Sequence, residues 1–222
     1  MPFKTELHMH TNDISVCSWA TPEQAVAEYK EAGYRTIVVT NHMNRPTFKH
    51  MKDASWQEKM QWYVQARKNI LQYASENFTI LLGFEICMDE CSNDYLVYGA
   101  TDDFFLNSED LMSLSLKEFR QVADANNLLV YQAHPFRHHM TIKDEKLLDG
   151  VEVFNGELLR HDSHNFLAMS WANYTHLAMI SGSDYHRPGD LRNGGILTEQ
   201  PITTEEELLA TLMTKNYKLL RG

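Results

Sequence analysis

Short, nearly continuous apolar runs alternate along this chain with longer amphipathic stretches. Arg35 to Thr40, Thr79 to Phe84, Tyr95 to Ala100, Leu128 to Ala133, Gly150 to Phe154 and Leu177 to Ser181 are rich in β-branched and aliphatic residues. That pattern reads as strands buried on both faces. Between them lie helical stretches. Thr21-Pro22-Glu23 combines an N-cap, a proline suited to the first turn and an early acid, and predicts a helix to Ala32 that Gly33 ends. Further helices are expected over about Ser55 to Asn77, Glu109 to Asn126, Asn165 to Asn173 and Thr204 to Thr214, with a last strand over Tyr217 to Leu220. Alternating strands and helices predict a parallel α/β arrangement with right-handed crossovers. Seven or eight such strands in 222 residues predict a compact barrel, organised as one domain over residues 1–222.

The leading stretch, Thr5 to Thr11, differs in kind. In T-E-L-H-M-H-T, residues two apart share a face of an extended strand. His8 and His10 therefore present two imidazoles in one direction, a metal grip, while Leu7 and Met9 turn toward a core. Other polar residues gather where strands end: Asn41-His42, Glu85, His134-Pro135, Asn155-Gly156 and Gly182-Ser183-Asp184-Tyr185-His186. A (β/α) barrel builds its active site at that end of its strands. Glu152, inside a strand, is expected in packing, and Trp56, Trp62 and Tyr63 are spaced for the core.

The net charge of −10 argues against an extended nucleic-acid surface, which needs Lys and Arg to neutralise phosphates. It leaves a phosphorylated small molecule open, because bound divalent cations make a pocket locally positive. Cys17, Cys87 and Cys91 form an odd set without zinc-ribbon spacing, so a reducing compartment is expected. No signal segment and no run of about 18 apolar residues is present. The expectation is a soluble, cytoplasmic protein without a membrane partner; the sequence is silent on oligomeric state.

H-M-H at 8–10, N-H at 41–42, G-F-E at 83–85, A-H-P-F-R at 133–137 and G-S-D-Y-H at 182–186 resemble, in order, the motifs of the PHP (polymerase and histidinol phosphatase) superfamily. The resemblance spans almost the whole chain. It implies a distorted, TIM-barrel-like (β/α)7 barrel holding two or three divalent metal ions and hydrolysing phosphoesters. By the same resemblance His8, His10, Glu85 and Asp184 bind a first metal, His134 a second that shares Glu85, and His42 and His186 a third. Imidazole and carboxylate suit zinc, manganese or iron, and magnesium less well.

Departures from the family pattern are specific. Many members carry a further His or Asp after the first motif, where this chain offers Asp13, Ser15 and Cys17. The loop after the fourth strand commonly supplies a histidine, where this chain has Ala100, Thr101 and Asp102. Asn41 stands where many members have Asp. The expected reaction is hydrolysis of a small phosphomonoester by a metal-bridged hydroxide. Arg137 is expected to bind phosphate, assisted by Arg187 or Arg192, with Asn155 at the substrate and His138 protonating the leaving group. Glu157, Arg160, His161 and His164 crowd the next loop, where they can shape specificity. Competing readings are amide hydrolysis, although no lysine ends a strand where a carbamylated bridge would be needed; nucleotide or oligonucleotide hydrolysis of the exonuclease type; and a regulatory module with a degenerate metal site.

Overall fold

In the computed structural model, residues 2–157, 162–191 and 193–222 are described. The elements follow the sequence pattern with a few differences. Strand β1 (Phe3–Glu6) leads to helix α1 (Pro22–Glu31), where Thr21 and Gln24 form a reciprocal capping box. Gly33 leaves the helix at φ +76°, a left-handed turn that suits glycine. Strand β2 (Tyr34–Val39) passes through Thr40 and Asn41 into β3 (His42–Met43). Helix α2 (Trp56–Arg67) is capped by Ser55 and Glu58. It stops ten residues short of the expected Asn77, giving way to a 3-10 turn over Asn69–Tyr73. The turn lets Ile70 enter the buried cluster of Tyr29, Ile37 and Phe78, so tertiary burial overrides a polar, helix-compatible sequence.

Strands β4 (Thr79–Leu82) and β5 (Phe84–Cys87) continue each other across Gly83, and β6 (Asp94–Tyr98) follows. Helices α3 (Asp102–Leu106) and α4 (Leu116–Ala125) precede β7 (Leu129–Gln132) and β8 (Gly150–Asn155). Then come α5 (Asn165–Thr175), β9 (Ala178–Gly182), β10 (Ile196–Thr198), α6 (Glu205–Thr214) and β11 (Lys218–Leu219).

The strands form two sheets, in the orders β11-β10-β1-β2-β4 and β3-β5-β6-β7-β8-β9. Pairing is parallel for β1-β2, β2-β4, β3-β5, β7-β8 and β8-β9. The expectation of an all-parallel arrangement needs two corrections: β10 runs antiparallel to both β1 and β11, and β6 runs antiparallel to both β5 and β7. Only six residues separate β5 from β6, too few for a parallel crossover, so the chain reverses directly.

On one side the sheets are joined by chain continuity, β2 into β3 and β4 into β5. On the other they meet where Met9 pairs with Tyr185 in parallel. There Asp184 N donates to His8 O (2.8 Å), His10 N to Tyr185 O (3.0 Å) and Thr40 N to Met9 O (3.0 Å). Glu6 anchors this joint from below. Its fully buried carboxylate accepts the backbone N–H groups of Leu7, His8 and Ser183, each at 2.9 Å, and the hydroxyls of Tyr29 and Ser183. Leu7 and Met9 are fully buried in separate apolar clusters, each worth roughly 1.5–3 kcal/mol relative to exposure. Trp56 and Trp62 pack at the edge of the cluster that contains Phe48 and Tyr63.

Candidate metal centre and active site

The extended backbone beyond β1 points His8 and His10 the same way, with their Nε2 atoms 3.1 Å apart. Each ring is fixed from behind. His8 Nδ1 lies 2.8 Å from Glu152 Oε1, so Nδ1–H donates to the carboxylate. His10 Nδ1 lies 3.2 Å from Ser15 Oγ, whose own proton goes to Asn41 Oδ1 at 2.9 Å. Nδ1 of His10 is therefore the donor, and its Nε2 keeps a lone pair aimed into the site. Glu85 on β5 and Asp184 after β9 complete the convergence: His8 Nε2 is 3.3 Å from Glu85 Oε1 and 3.2 Å from Asp184 Oδ1. Asp184 at φ +50° and His134 at φ +26° hold left-handed backbone, uncommon for residues with a Cβ and typical of functional sites.

Among the described residues, five overlapping groups of side chains place candidate ligand atoms within 4.8 Å of one another: His8, His10 and Glu85; His8, His134 and Asp184; Glu85, Asp94 and His134; His10, His42 and His186; and Glu157, Asp184 and His186. Glu85 belongs to two of them, as do His8, His10, His134, Asp184 and His186, and among these Glu85 is the carboxylate that links the His8–His10 group to the Asp94–His134 group. Whether the set fits cations is tested by its leftover valences. His42 Nδ1 and Glu85 Oε2 are only 2.9 Å apart, yet both are buried without a well-directed hydrogen bond, and so is His134 Nδ1. Buried polar atoms are rarely left this way unless something else satisfies them. A divalent cation among N and O donors does so.

The electrostatics agree. Burial pulls the His8 imidazole down, but Asp184, Glu152 and Glu85 outweigh it and hold its pKa well above the usual range. Burial likewise opposes ionisation of Glu85 and Asp184. His8 and His42 nevertheless keep Glu85 well below the carboxylate range, and His8 and Arg137 do the same for Asp184. His10 goes the other way, depressed by burial and by His42 and His186. The buried carboxylates thus favour positive charge at the centre, which protons on His8 and His42 or a bound cation would supply.

Two residues at the site escaped sequence reasoning. Asp94 stands beside Glu85 and His134, whereas Ala100, Thr101 and Asp102 belong to none of the groups. Because β6 is reversed, its N-terminal end, not its C-terminal end, opens on the site. Burial and Glu85 push Asp94 up to about 6. Glu152 was expected in packing. It does point inward and is buried, but its oxygens hold His8 Nδ1, His134 N (3.0 Å) and Asn155 Nδ2 (2.9 Å). A charged residue amid the apolar run of β8 was the available signal.

The remaining sequence candidates divide. Cys17, exposed at the mouth of the cavity, lines it with His42 and His186; nearby protein partly desolvates its thiol, but hydrogen bonds with those two rings outweigh this and bring it down to about 6. Asp13 instead accepts from Thr11 Oγ1 at 2.7 Å and joins none of the groups. Arg137 lines the cavity, but its guanidinium is committed: one terminal nitrogen reaches Asp184 Oδ2 (2.7 Å), Asn155 Oδ1 (2.6 Å) and Glu157 Oε2 (3.2 Å), and Nε donates to Ser163 Oγ (3.2 Å). Asn155 is buried and bonded to Glu152, Asp184 and Arg137. His138 is exposed, stacks on His139 and does not line the cavity. His164 caps the start of α5 outside the cavity lining. Arg160, His161 and Arg192 lie outside the described residues.

The cavity measures about 510 Å³ and is floored by Glu85, Asp94, His134 and Asp184. Among the described residues no helix is long and apolar enough to cross a membrane.

Solved structures share the architecture. A two-domain protein from Bacteroides vulgatus, described as containing a predicted PHP-like metal-dependent phosphoesterase, superposes with TM-score 0.69 at 17% identity. It covers all of this chain, which spans 65% of the other's length. PsfC from Pseudomonas syringae superposes with TM-score 0.71 at 13% identity over 100% of this chain and 92% of its own. The lesion-specific endonuclease PfuEndoQ from Pyrococcus furiosus does so with TM-score 0.65 at 15% identity, over 99% of this chain and 58% of its own. No curated protein matches the chain in sequence. The PHP domain model matches residues 6–213, nearly the whole chain, and the protein belongs to the PHP domain family.

Proposed function

We propose that this protein is a divalent-metal-dependent phosphoesterase that hydrolyses a small phosphomonoester. The observation that carries the reading is Glu85. It is fully buried at the floor of an open cavity, shared between the His8–His10 group and the Asp94–His134 group, with one oxygen lacking a directed partner. Paired cations at such a carboxylate supply a nucleophilic water at neutral pH and stabilise charge on phosphate oxygens.

The chain's own residues do the rest. Glu152 and Ser15 fix the ring orientations of His8 and His10. Asn155 and Arg137 hold Asp184 from the side facing away from His8, so the carboxylate cannot swing out of the site. The deep polar floor, the acidic surface and the modest cavity favour a small substrate over a polymer. Relatives of this fold include a named endonuclease, so a diester is the substrate class to test against.

The experiment combines metal content with turnover of p-nitrophenyl phosphate, bis(p-nitrophenyl) phosphate and a single-stranded oligonucleotide, after reconstitution with zinc, manganese or iron. At least two metals per chain and preferential monoester turnover, both lost in Glu85→Ala, are expected. Faster diester or oligonucleotide cleavage would replace the monoester reading. Metal without any turnover would overturn the phosphoesterase reading itself.

A further inference from the structure

Two arginines among the described residues line the cavity, and they are in opposite states. Arg137 is 7% exposed, and its Nε and one terminal nitrogen are tied to Asp184, Asn155, Glu157 and Ser163, so two of its three guanidinium nitrogens are engaged inside the protein. Arg187 is half-buried, and among the described residues its guanidinium has no hydrogen-bonded or ion-paired partner. Its Nε is buried and unsatisfied, and its guanidinium lies over the Trp19 ring, 5.1 Å from the centroid. The guanidinium lies on the cavity wall with Glu85, Asp94, Glu157 and Asp184, in a protein of net charge −10.

We propose that Arg187, held against Trp19, is the residue that receives the substrate's phosphate group. The assignment rests on the phosphoesterase reading and sharpens it by moving the phosphate contact from Arg137 to Arg187. Three features hold the pair in place before substrate arrives. Trp19 N and Ala20 N both donate to His186 O, at 2.8 and 3.2 Å, which joins the Trp19 loop to the Arg187 loop. The Glu28 carboxylate on α1 accepts Gly189 N at 2.9 and 3.0 Å, which pins the turn that follows Arg187. The Trp19 ring, 70% exposed, gives the planar cation a face to lie on while its edge stays available. A fork held in this way presents parallel N–H donors, which match two phosphate oxygens.

The test uses metal-loaded full-length protein with inorganic phosphate as probe, measured by calorimetry, alongside KM and kcat for p-nitrophenyl phosphate and metal content per chain. In Arg187→Met, phosphate binding should weaken by about 10–100-fold, the loss expected for charge-assisted hydrogen bonds, and KM should rise with unchanged metal content. Arg187→Lys should recover only part of this, since a point charge replaces a stacked fork. Trp19→Ala should weaken phosphate binding about two- to fivefold. Wild-type phosphate affinity in Arg187→Met, or loss of metal in that variant, overturns the assignment while leaving the phosphoesterase reading intact. Metal-loaded wild type that neither binds phosphate nor hydrolyses any phosphoester overturns both.

Discussion

Replacing Glu152 by Gln isolates the support of the metal centre from the ligands themselves. The carboxylate accepts three hydrogen bonds, from His8 Nδ1–H on Oε1 and from His134 N–H and Asn155 Nδ2–H on Oε2. Gln has the same shape but only one oxygen. If that oxygen keeps His8, an NH2 group faces two buried donors; if it keeps the other two, His8 loses its acceptor and its fixed tautomer. Either way at least one buried donor goes unsatisfied, at a cost of about 1–3 kcal/mol. Losing the carboxylate behind a ligating imidazole typically weakens metal affinity about 10–100-fold, or roughly 1.4–2.7 kcal/mol. Competition titration of cobalt or zinc against a chromophoric chelator reads the affinity. Calorimetry of the metal-free protein should show a melting temperature lower by about 4–8 °C, taking about 2 kcal/mol for a chain of this size. Wild-type metal affinity in Glu152→Gln would refute the claim that the His8–Glu152 bond prepares the site.

Three further outcomes follow from the same geometry. Arg137→Ala should lower metal content as well as turnover, because it strips Asp184 of its buried partner, and Arg137→Lys should not restore the fork; metal analysis of both variants decides this. Since Asp94 keeps its proton up to about 6, a cation must expel that proton at lower pH. Affinity at the Glu85–Asp94–His134 site should therefore be insensitive to this group above pH 6 and fall by up to about tenfold per unit below it. In Asp94→Asn that component of the pH profile should vanish, as metal titrations at stepped pH would show. Chelation should destabilise the protein, and restoring a cation to 100 times its dissociation constant should recover about 2.7 kcal/mol, seen as a metal-dependent melting temperature.

Much of this architecture is legible in the chain because ligands and strands obey one rule: a parallel strand delivers its next residue to the site. His42, Glu85, His134, Asp184 and His186 can be singled out that way, and His8 and His10 by their spacing of two, and the fold brings all seven side chains together. Asp94 cannot, since the rule inverts for a reversed strand, and nothing in D-Y-L-V-Y announces direction. Nor is the difference between Arg137 and Arg187 written locally. One has Asp184, Asn155, Glu157 and Ser163 around it only after folding, and the other has a tryptophan from a loop 168 residues earlier. Helix α2 was overextended because polar residues after Arg67 tolerate a helix, while the burial of Ile70 that ends it is a tertiary demand.

The joint under Glu6 also bears on how the protein acquires its metals during folding. Its carboxylate bonds to Ser183 across 177 positions of sequence, and the same joint brings His8 beside Asp184. Contacts of such separation carry a large loop-closure entropy and tend to form slowly. On a growing polypeptide, His8 and His10 would emerge long before Asp184 and His186 exist to meet them. The cluster of His8, His10, Glu85 and Asp184 is therefore a late product of folding, and on the proposed metal-binding reading the rate at which a refolding chain takes up cation should report the closing of the joint between its two sheets.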